Sequence, residues 1–166
     1  MSARFGRLPW LWLSLLVFVI DQASKFYFDN ALTMYQQIEV IPGYFGWTLA
    51  YNTGAAFSFL AGASGWQRWL FALIAIAVSA VLVVWLKRLK PDETWLAMAL
   101  ALVLGGALGN LVDRVIFGHV VDFILVHWQH RWYFPAFNVA DSAITLGAIL
   151  LALDMFKSNK SGETTP

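Results

Sequence analysis

Four long apolar stretches constrain the fold of this chain more than any other feature of its sequence. They cover roughly residues 9–28, 68–86, 95–112 and 139–156. A helix of about 18 residues rises ~27 Å, close to the thickness of a bilayer's hydrocarbon core. With 60% hydrophobic and 13% charged residues, the chain is also more apolar than a soluble domain of 166 residues. The sequence therefore predicts an all-α membrane protein with four transmembrane helices, forming a single membrane domain over residues 1–166.

Basic residues predict the orientation of these spans. The segments 29–66 and 113–138 join spans one to two and three to four, and the first of them contains no Lys or Arg. The N-terminal segment, the loop between spans two and three, and the tail carry Arg4, Arg7, Lys87, Arg88, Lys90, Lys157 and Lys160. The positive-inside rule then makes both termini cytoplasmic and both long loops outward-facing. The N-terminal run lacks a small-residue cleavage pattern and is predicted to be a retained span. The polar tail 158–166 is predicted to be disordered.

The first outer loop, 29–66, is long enough to have structure of its own. Residues 47–51 have strand-like composition, and Asn52-Thr53-Gly54 supplies turn chemistry. We expect a small β-rich extracytoplasmic element and a short surface helix, with the segment around Phe57 and Phe59 as a candidate lid. The second loop, 113–138, is rich in Trp, Tyr and His and suits the lipid headgroup region.

Two aspartates stand out because a carboxylate at a bilayer boundary is costly unless it has a function. Asp122 lies in an apolar stretch of the second outer loop, and Asp141 opens the fourth span. If they approach each other, one proton is shared between them, and the pair can act as acid and base in peptide hydrolysis. Their alternative role is structural, as a helix cap or as loop carboxylates paired with Arg114 or Arg131.

Further polar residues lie at the same predicted level of the membrane. Asp21 and Lys25 stand four apart in span one, as a helical ion pair that either anchors the helix end or shapes the site. Span three carries a surface of small residues, including Gly106, followed by Asn110, Asp113 and Arg114. With Asn52 and Asn138, these groups could hold a peptide backbone in register without attacking it.

Other chemistries receive less support. The chain has no cysteine, which excludes disulfides and thiolate chemistry, and a net charge of +1 does not indicate a nucleic-acid partner. His119, His127 and His130 do not form a His-Glu-x-x-His arrangement, so they are interpreted as interfacial histidines. We expect neither a metal nor a cofactor. A small transporter or proton-relay protein that uses the same carboxylates remains the alternative function.

Five blocks of residues together carry a family resemblance. They are Asp21-x-x-x-Lys25, Asn52-Thr53-Gly54-Ala55-Ala56-Phe57, Gly105-Gly106-Ala107-Leu108-Gly109-Asn110-x-x-Asp113-Arg114, Val121-Asp122-Phe123 and Phe137-Asn138-Val139-Ala140-Asp141-Ser142. In this order they resemble bacterial lipoprotein signal peptidase, also called signal peptidase II. The likeness extends over nearly the whole chain.

The resemblance implies an aspartic endopeptidase of the bacterial inner membrane, with its active site near the outer face. It would cleave prolipoprotein signal peptides immediately before a diacylglyceryl-modified cysteine, and globomycin would inhibit it. The pair Asp122 and Asp141 would be catalytic. The substrate site would include Asn52, Gly54, Gly106, Asn110, Arg114 and Asn138, with Asp21, Lys25 and Asp113 as structural support. Substrate and membrane lipid would be its partners, and a monomer is the simplest expectation.

Overall fold

The computed structural model describes residues 6–54 and 65–162. Its main elements are four helices: α1 (Leu11–Ala31), α2 (Trp66–Arg88), α3 (Thr94–Ile116) and α4 (Val139–Gly162). A single 3-10 turn, Leu8–Trp10, precedes α1. All four helices are long and apolar enough to cross a membrane, so the predicted four-helix membrane fold is confirmed. The backbone of residues 158–162, within the segment predicted as a disordered tail, continues α4. Residues 163–166 lie outside the described part of the chain.

Helix α3 packs against each of the other three helices. Small residues allow this close approach: a Cβ at Gly105 would lie 2.7 Å from the carbonyl oxygen of Ser14 on α1. A Cβ at Gly106 would lie 2.4 Å from the carbonyl oxygen of Ala140 on α4. The glycine-rich surface predicted from the sequence is therefore the packing surface of the central helix.

A four-stranded antiparallel sheet accompanies the helices, with strands in the order β1 (Gln37–Ile41), β2 (Phe45–Asn52), β3 (Val120–Trp128) and β4 (Trp132–Tyr133). The predicted strand around residues 47–51 is confirmed as β2. Strand β3 was not predicted. Its first residues are buried on both faces, so apolar residues follow one another on either side of Asp122 without the alternation that indicates a strand.

The predicted surface helix is not found in residues 32–54, which contain β1 and β2. The rest of that loop, including the candidate lid residues Phe57 and Phe59, falls in the segment 55–64, outside the described residues.

Aromatic packing seats the sheet on the C-terminal end of α1. The ring of Phe28 stacks on Phe123 of β3 with 4.4 Å between centroids, and it lies 4.8 Å from Trp47 of β2. At the opposite end of the bundle, the backbone N–H of Arg7 donates to the carbonyl of Leu86 at 2.9 Å. The sheet and the N-terminal segment therefore lie at opposite ends of the helices.

Candidate active site

Strand β3 and the start of α4 are joined by backbone hydrogen bonds. The N–H of Ile124 donates to the carbonyl of Phe137 at 2.8 Å, and the N–H of Phe137 donates back at 3.2 Å. This bridge brings Asn138, which follows Phe137 and directly precedes α4, beside the part of β3 that carries Asp122. The sheet therefore aligns two segments that the sequence presents as parts of one loop.

Asn138 connects the two candidate catalytic aspartates. Its side-chain amide donates to Oδ1 of Asp122 at 2.7 Å, and its backbone N–H donates to Oδ2 of Asp141 at 3.2 Å. The backbone N–H of Asp141 donates in return to Oδ1 of Asn138 at 2.9 Å. This reciprocal pair has the form of a capping box at the start of α4. Asn138 is completely buried, so the side chain that caps the helix is also fixed against Asp122.

Asn110 of α3 is the second amide in the network. Its Nδ2 donates to Oδ1 of Asp141 at 2.7 Å, and its Oδ1 accepts a hydrogen bond from Nζ of Lys25 at 2.9 Å. An amide oxygen that faces an ammonium group directs the NH₂ group the other way. The cation on α1 therefore sets the direction of the hydrogen bond that reaches Asp141.

Lys25 is itself held between two carboxylates. Its Nζ lies 2.8 Å from Oδ2 of Asp21 and 3.0 Å from Oδ2 of Asp113, and all three side chains are at most 4% exposed. A buried charge of this kind is tolerated only when its partners and hydrogen bonds are complete. The three acceptors around Lys25 meet that condition.

The same two carboxylates bind backbone groups next to Asp122 and Asp141, the candidate catalytic dyad. Oδ1 of Asp21 accepts the N–H of Ala140 at 2.8 Å, and Oδ2 of Asp113 accepts the N–H of Val121 at 3.2 Å. Ala140 and Val121 directly precede the two dyad residues in the chain. The predicted structural residues Asp21, Lys25 and Asp113 are thus brought together, and they contact both segments that carry the dyad.

The side chain of Asp122 is almost completely buried, so its carboxyl group is strongly desolvated. Burial, reinforced by the charge of Asp141, raises the pKa of Asp122 from 3.8 to about 7. Hydrogen bonds from Asn52 and Asn138 and the charge of Lys25 oppose the rise. Near neutral pH this carboxyl group can therefore hold a proton.

The turn after β2 positions Asn52 beside Asp122. The N–H of Gly54 donates to Oδ1 of Asn52 at 2.9 Å, in an Asx turn. Gly54 has φ 88°, and a Cβ there would lie 2.5 Å from the ring of Phe71, so a side chain is excluded on both grounds. The predicted turn is confirmed, and it places Gly54 next to a site residue.

Arg114 lies one helical turn beyond Asn110 on α3. Its Nη1 donates to the backbone carbonyl of Asn110 at 3.1 Å, and its Cζ lies 5.4 Å from the centroid of the Phe71 ring. Its charge acts on both dyad carboxylates and on Asp113. Arg114 therefore supplies positive charge at the edge of the site.

An apolar groove of about 500 Å³ adjoins the dyad. Asp141 lies in its lining, and the other lining residues come from α4 and the segment before it: Phe134, Phe137, Ser142, Thr145, Leu146 and Ile149. The groove places a carboxylate beside a surface suited to hydrocarbon.

One polar residue of the network was missed by the sequence reasoning. Gln22 of α1 donates from Nε2 to Oδ1 of Asp113 at 2.9 Å and to the carbonyl of Gly109 at 3.2 Å. A signal was present, since an amide next to an aspartate inside an apolar span usually faces a partner.

The arrangement combines two carboxylates in unequal surroundings. Asp122 is desolvated, whereas Asp141 accepts hydrogen bonds at the N-terminus of a helix. Two titratable groups with contrasting surroundings can take the roles of acid and base in hydrolysis.

Comparisons with known proteins identify the family to which the chain belongs. The family model described as signal peptidase (SPase) II matches residues 13–157. Two curated relatives, both named lipoprotein signal peptidase, are a Pseudomonas fluorescens protein and a Pseudomonas syringae pv. tomato protein. The first is 82% identical over 96% of this chain and 94% of its own length, and the second is 79% identical over 98% and 94%.

Solved structures show the same fold. A bacterial membrane enzyme solved at 2.3 Å superposes with a TM-score of 0.82 at 30% identity, covering 100% of this chain and 98% of its own. A second, solved at 1.9 Å, gives a TM-score of 0.78 at 31% identity, over 95% and 98%. Sequence and fold agree over almost the entire length, and the chain belongs to the signal peptidase II family.

Proposed function

We propose that Asp122 and Asp141 form the catalytic dyad with which this member of the signal peptidase II family cleaves prolipoproteins. The observation that carries the proposal is the network around Asn138, which hydrogen-bonds both carboxyl groups. The pKa of about 7 for Asp122 adds chemical support, because it allows one proton to remain in the dyad at neutral pH.

In the proposed mechanism the shared proton rests mainly on Asp122, and Asp141 is the ionised member. The two donors to Asp141, from Asn110 and the backbone of Asn138, suit a carboxylate acceptor. Asp141 then acts as general base on a water molecule that attacks the scissile carbonyl. Protonated Asp122 hydrogen-bonds that carbonyl and later gives a proton to the leaving amine.

The surrounding amides and the guanidinium are proposed to hold the substrate backbone. Asn52, Asn110, Arg114 and Asn138 all hydrogen-bond the dyad or one another. They offer donors without being nucleophiles, so they can align a peptide without competing for it. Gly54 and Gly106 keep side chains out of the turn and of the α3–α4 contact beside this site.

We further propose that the bond cleaved precedes a cysteine that carries diacylglyceryl. The apolar groove beside Asp141 supports a lipid-linked substrate, because hydrocarbon can lie there while the peptide crosses the dyad. Binding of the remote acyl chains would then contribute to positioning the reacting bond.

The proposed location is the bacterial inner membrane, with both termini cytoplasmic and the sheet at the outer face. The distribution of basic residues supports this orientation, since Arg7, Lys87 and Arg88 lie at the end of the bundle opposite the sheet. A transporter or proton-relay function is not supported, because the dyad lies on a strand and a helix start rather than deep in a span.

The test is a cleavage assay with purified full-length protein in lipid vesicles. A precursor with diacylglyceryl on its cysteine is expected to be cut before that cysteine, and the same precursor without lipid to be cut far more slowly. Globomycin is expected to block the reaction. Equal cleavage of both precursors would refute the lipid requirement, and cleavage of neither would refute the proposed peptidase activity. We also propose that the active protein is a monomer, and measurement of its size in detergent tests this.

A further inference from the structure

A second cluster of polar side chains lies on the sheet, away from the dyad. Among the described residues, Glu39, His127 and His130 form a group whose ligand atoms all lie within 4.8 Å of one another. Glu39 belongs to β1, His127 to β3, and His130 to the turn between β3 and β4. The sequence analysis interpreted these histidines as interfacial, expected no metal, and did not include Glu39, which is far from them in the chain.

We propose that Glu39, His127 and His130 form a binding site for one divalent cation of the Zn²⁺ class. Two imidazoles and a carboxylate, completed by water, are a common Zn²⁺ ligand set, and imidazole disfavours Mg²⁺ and Ca²⁺. This site is independent of the peptidase reaction.

The distances between donor atoms suit a small cation. Oε1 of Glu39 lies 3.0 Å from Nε2 of His130 and 3.7 Å from Nε2 of His127. Ligands about 2.0–2.1 Å from a tetrahedral Zn²⁺ are separated by about 3.3 Å, so the cluster needs only small side-chain adjustments. Glu39 Oε1 also accepts the backbone N–H of Gly43 at 3.2 Å, which limits the freedom of the carboxylate.

Tyr133 provides the outer contact expected at a metal-binding histidine. Nδ1 of His130 lies 3.2 Å from the Tyr133 hydroxyl, so the proton can reside on Nδ1 once a cation replaces the contact of Nε2 with Glu39 Oε1. The ring of Tyr133 also stacks on His127 with 5.0 Å between centroids. One aromatic residue thus orients both imidazoles.

The backbone holds His130 in a costly conformation. Gln129 and His130 have φ values of 45° and 58°, in the left-handed region that residues with a Cβ rarely adopt. The turn is fixed by the N–H of Gln129, which donates to the carbonyl of Gly43, and by the N–H of Arg131, which donates to that of Trp128 at 2.9 Å. The strained turn aims His130 at Glu39, and a bound cation would offset part of the cost.

A contact at His127 must also change on ligation. The backbone N–H of His130 faces Nδ1 of His127 from 3.4 Å, whereas a His127 that binds metal through Nε2 carries its proton on Nδ1. This contact is longer than an ordinary hydrogen bond, and a small shift of the turn releases it.

The cation would link β1 to β3 and to the β3–β4 turn through its ligands. His127 is five residues beyond Asp122 on β3, which is about 16 Å along a strand. At that distance ionic screening removes most of the influence of the cation on the dyad. We therefore expect Zn²⁺ to stabilise the sheet and to leave the cleavage rate unchanged.

The test is titration of the metal-free full-length protein, purified without a polyhistidine tag, with Zn²⁺ in detergent. One equivalent is expected to bind at micromolar concentration or below and to raise the melting temperature. Glu39→Gln and His130→Asn are each expected to weaken binding by at least about tenfold, and Tyr133→Phe by roughly tenfold. His119→Asn is the matched control, because His119 packs on Tyr51 outside the cluster and its loss should leave binding intact.

The contrary results are distinct. Equal affinity in wild type, Glu39→Gln and His130→Asn would show that Zn²⁺ binds elsewhere, and binding only at millimolar concentration would show no selective site. A single bound equivalent of Zn²⁺ that inhibits cleavage, and still does so in Glu39→Gln, would assign the metal to the dyad carboxylates. Each of these outcomes overturns the proposed metal site and leaves the proposed peptidase function unaffected.

Discussion

Lys25 donates a hydrogen bond of 2.9 Å to the side-chain oxygen of Asn110, a residue 85 positions later in the chain. Because that oxygen is occupied, the NH₂ group of Asn110 points to Asp141, 2.7 Å away. The buried cation of α1 thus reaches the dyad through an amide whose orientation it fixes. Lys25 is therefore a positioning residue as well as the counter-ion of Asp21 and Asp113.

Replacing Lys25 tests this double role. Lys25→Met leaves two buried carboxylates without their cation, which costs roughly 3–5 kcal/mol of stability, and it frees the Asn110 amide to rotate. We expect a lower melting temperature and a large loss of kcat. In Lys25→Met combined with Asp21→Asn and Asp113→Asn, the uncompensated charges are gone, so stability should recover while kcat stays low. Recovery of kcat together with stability would show that Lys25 acts only as a counter-ion and does not position Asn110.

Replacing either dyad residue should abolish cleavage without unfolding the protein. Asp122→Asn and Asp141→Asn keep the size of the side chain but remove acid/base function, and we expect a fall in kcat of at least about 10³-fold. The measurement is cleavage of a lipidated precursor by protein that retains its helical circular dichroism. Asp92→Asn, in the exposed turn between α2 and α3, is the matched control and should cleave normally. Near wild-type turnover in either dyad variant would refute the assignment.

The pH dependence of cleavage should follow Asp122. Since its pKa is about 7 and the mechanism requires its proton, kcat/KM should fall as pH rises through about 7. A profile of kcat/KM from pH 5 to 9 checks this expectation. A rate that stays constant or increases above pH 7 would mean that the proton is not needed.

The stability of Asp122→Asn should depend on pH in a defined direction. The folded protein keeps the Asp122 proton up to about pH 7, whereas the unfolded chain releases it near the ordinary value of 3.8. Between these pH values the folded state loses stability relative to the unfolded state as pH rises, by up to about 4 kcal/mol. The amide variant lacks this loss. The melting temperature of the variant minus that of wild type should therefore be larger at pH 8 than at pH 4. If this difference does not change with pH, the raised pKa of Asp122 is contradicted.

Substitution of Gly106 should damage the fold beside the dyad. Its Cβ would lie 2.4 Å from the carbonyl oxygen of Ala140, and backbone cannot move aside as a flexible side chain can. Gly106→Val should separate α3 from α4, lower the melting temperature, and cost roughly 3 kcal/mol or more. Ala148→Val adds similar bulk on an exposed position of α4 and should be tolerated. Equal thermal stability of the two variants would show that the close α3–α4 approach is not required.

Arg114 should affect substrate binding more than the chemical step. Arg114→Lys keeps the charge but loses the planar group that lies over Phe71 and donates to Asn110. We expect KM for the lipidated precursor to rise about tenfold with a smaller change in kcat. A loss confined to kcat would instead place Arg114 in the reaction itself.

The sequence alone determined the membrane character of the chain, its four helices, the strand β2 and the identities of the dyad candidates. These follow from local properties: the length of apolar runs, the distribution of basic residues, turn chemistry, and the cost of carboxylates at a bilayer boundary. The same patterns also identified Asn52, Asn110, Arg114 and Asn138 as polar residues at one level of the membrane.

Only the tertiary structure decided how those residues meet. Strand β3 could not be read from its sequence, because burial on both faces removed the alternation, and without β3 the position of Asp122 relative to α4 is undetermined. The hydrogen bond of Lys25 to Asn110 and the meeting of Glu39 with His127 and His130 join positions far apart in the chain. Such contacts depend on helix packing and strand register, which are properties of the whole fold and not of any local stretch of sequence.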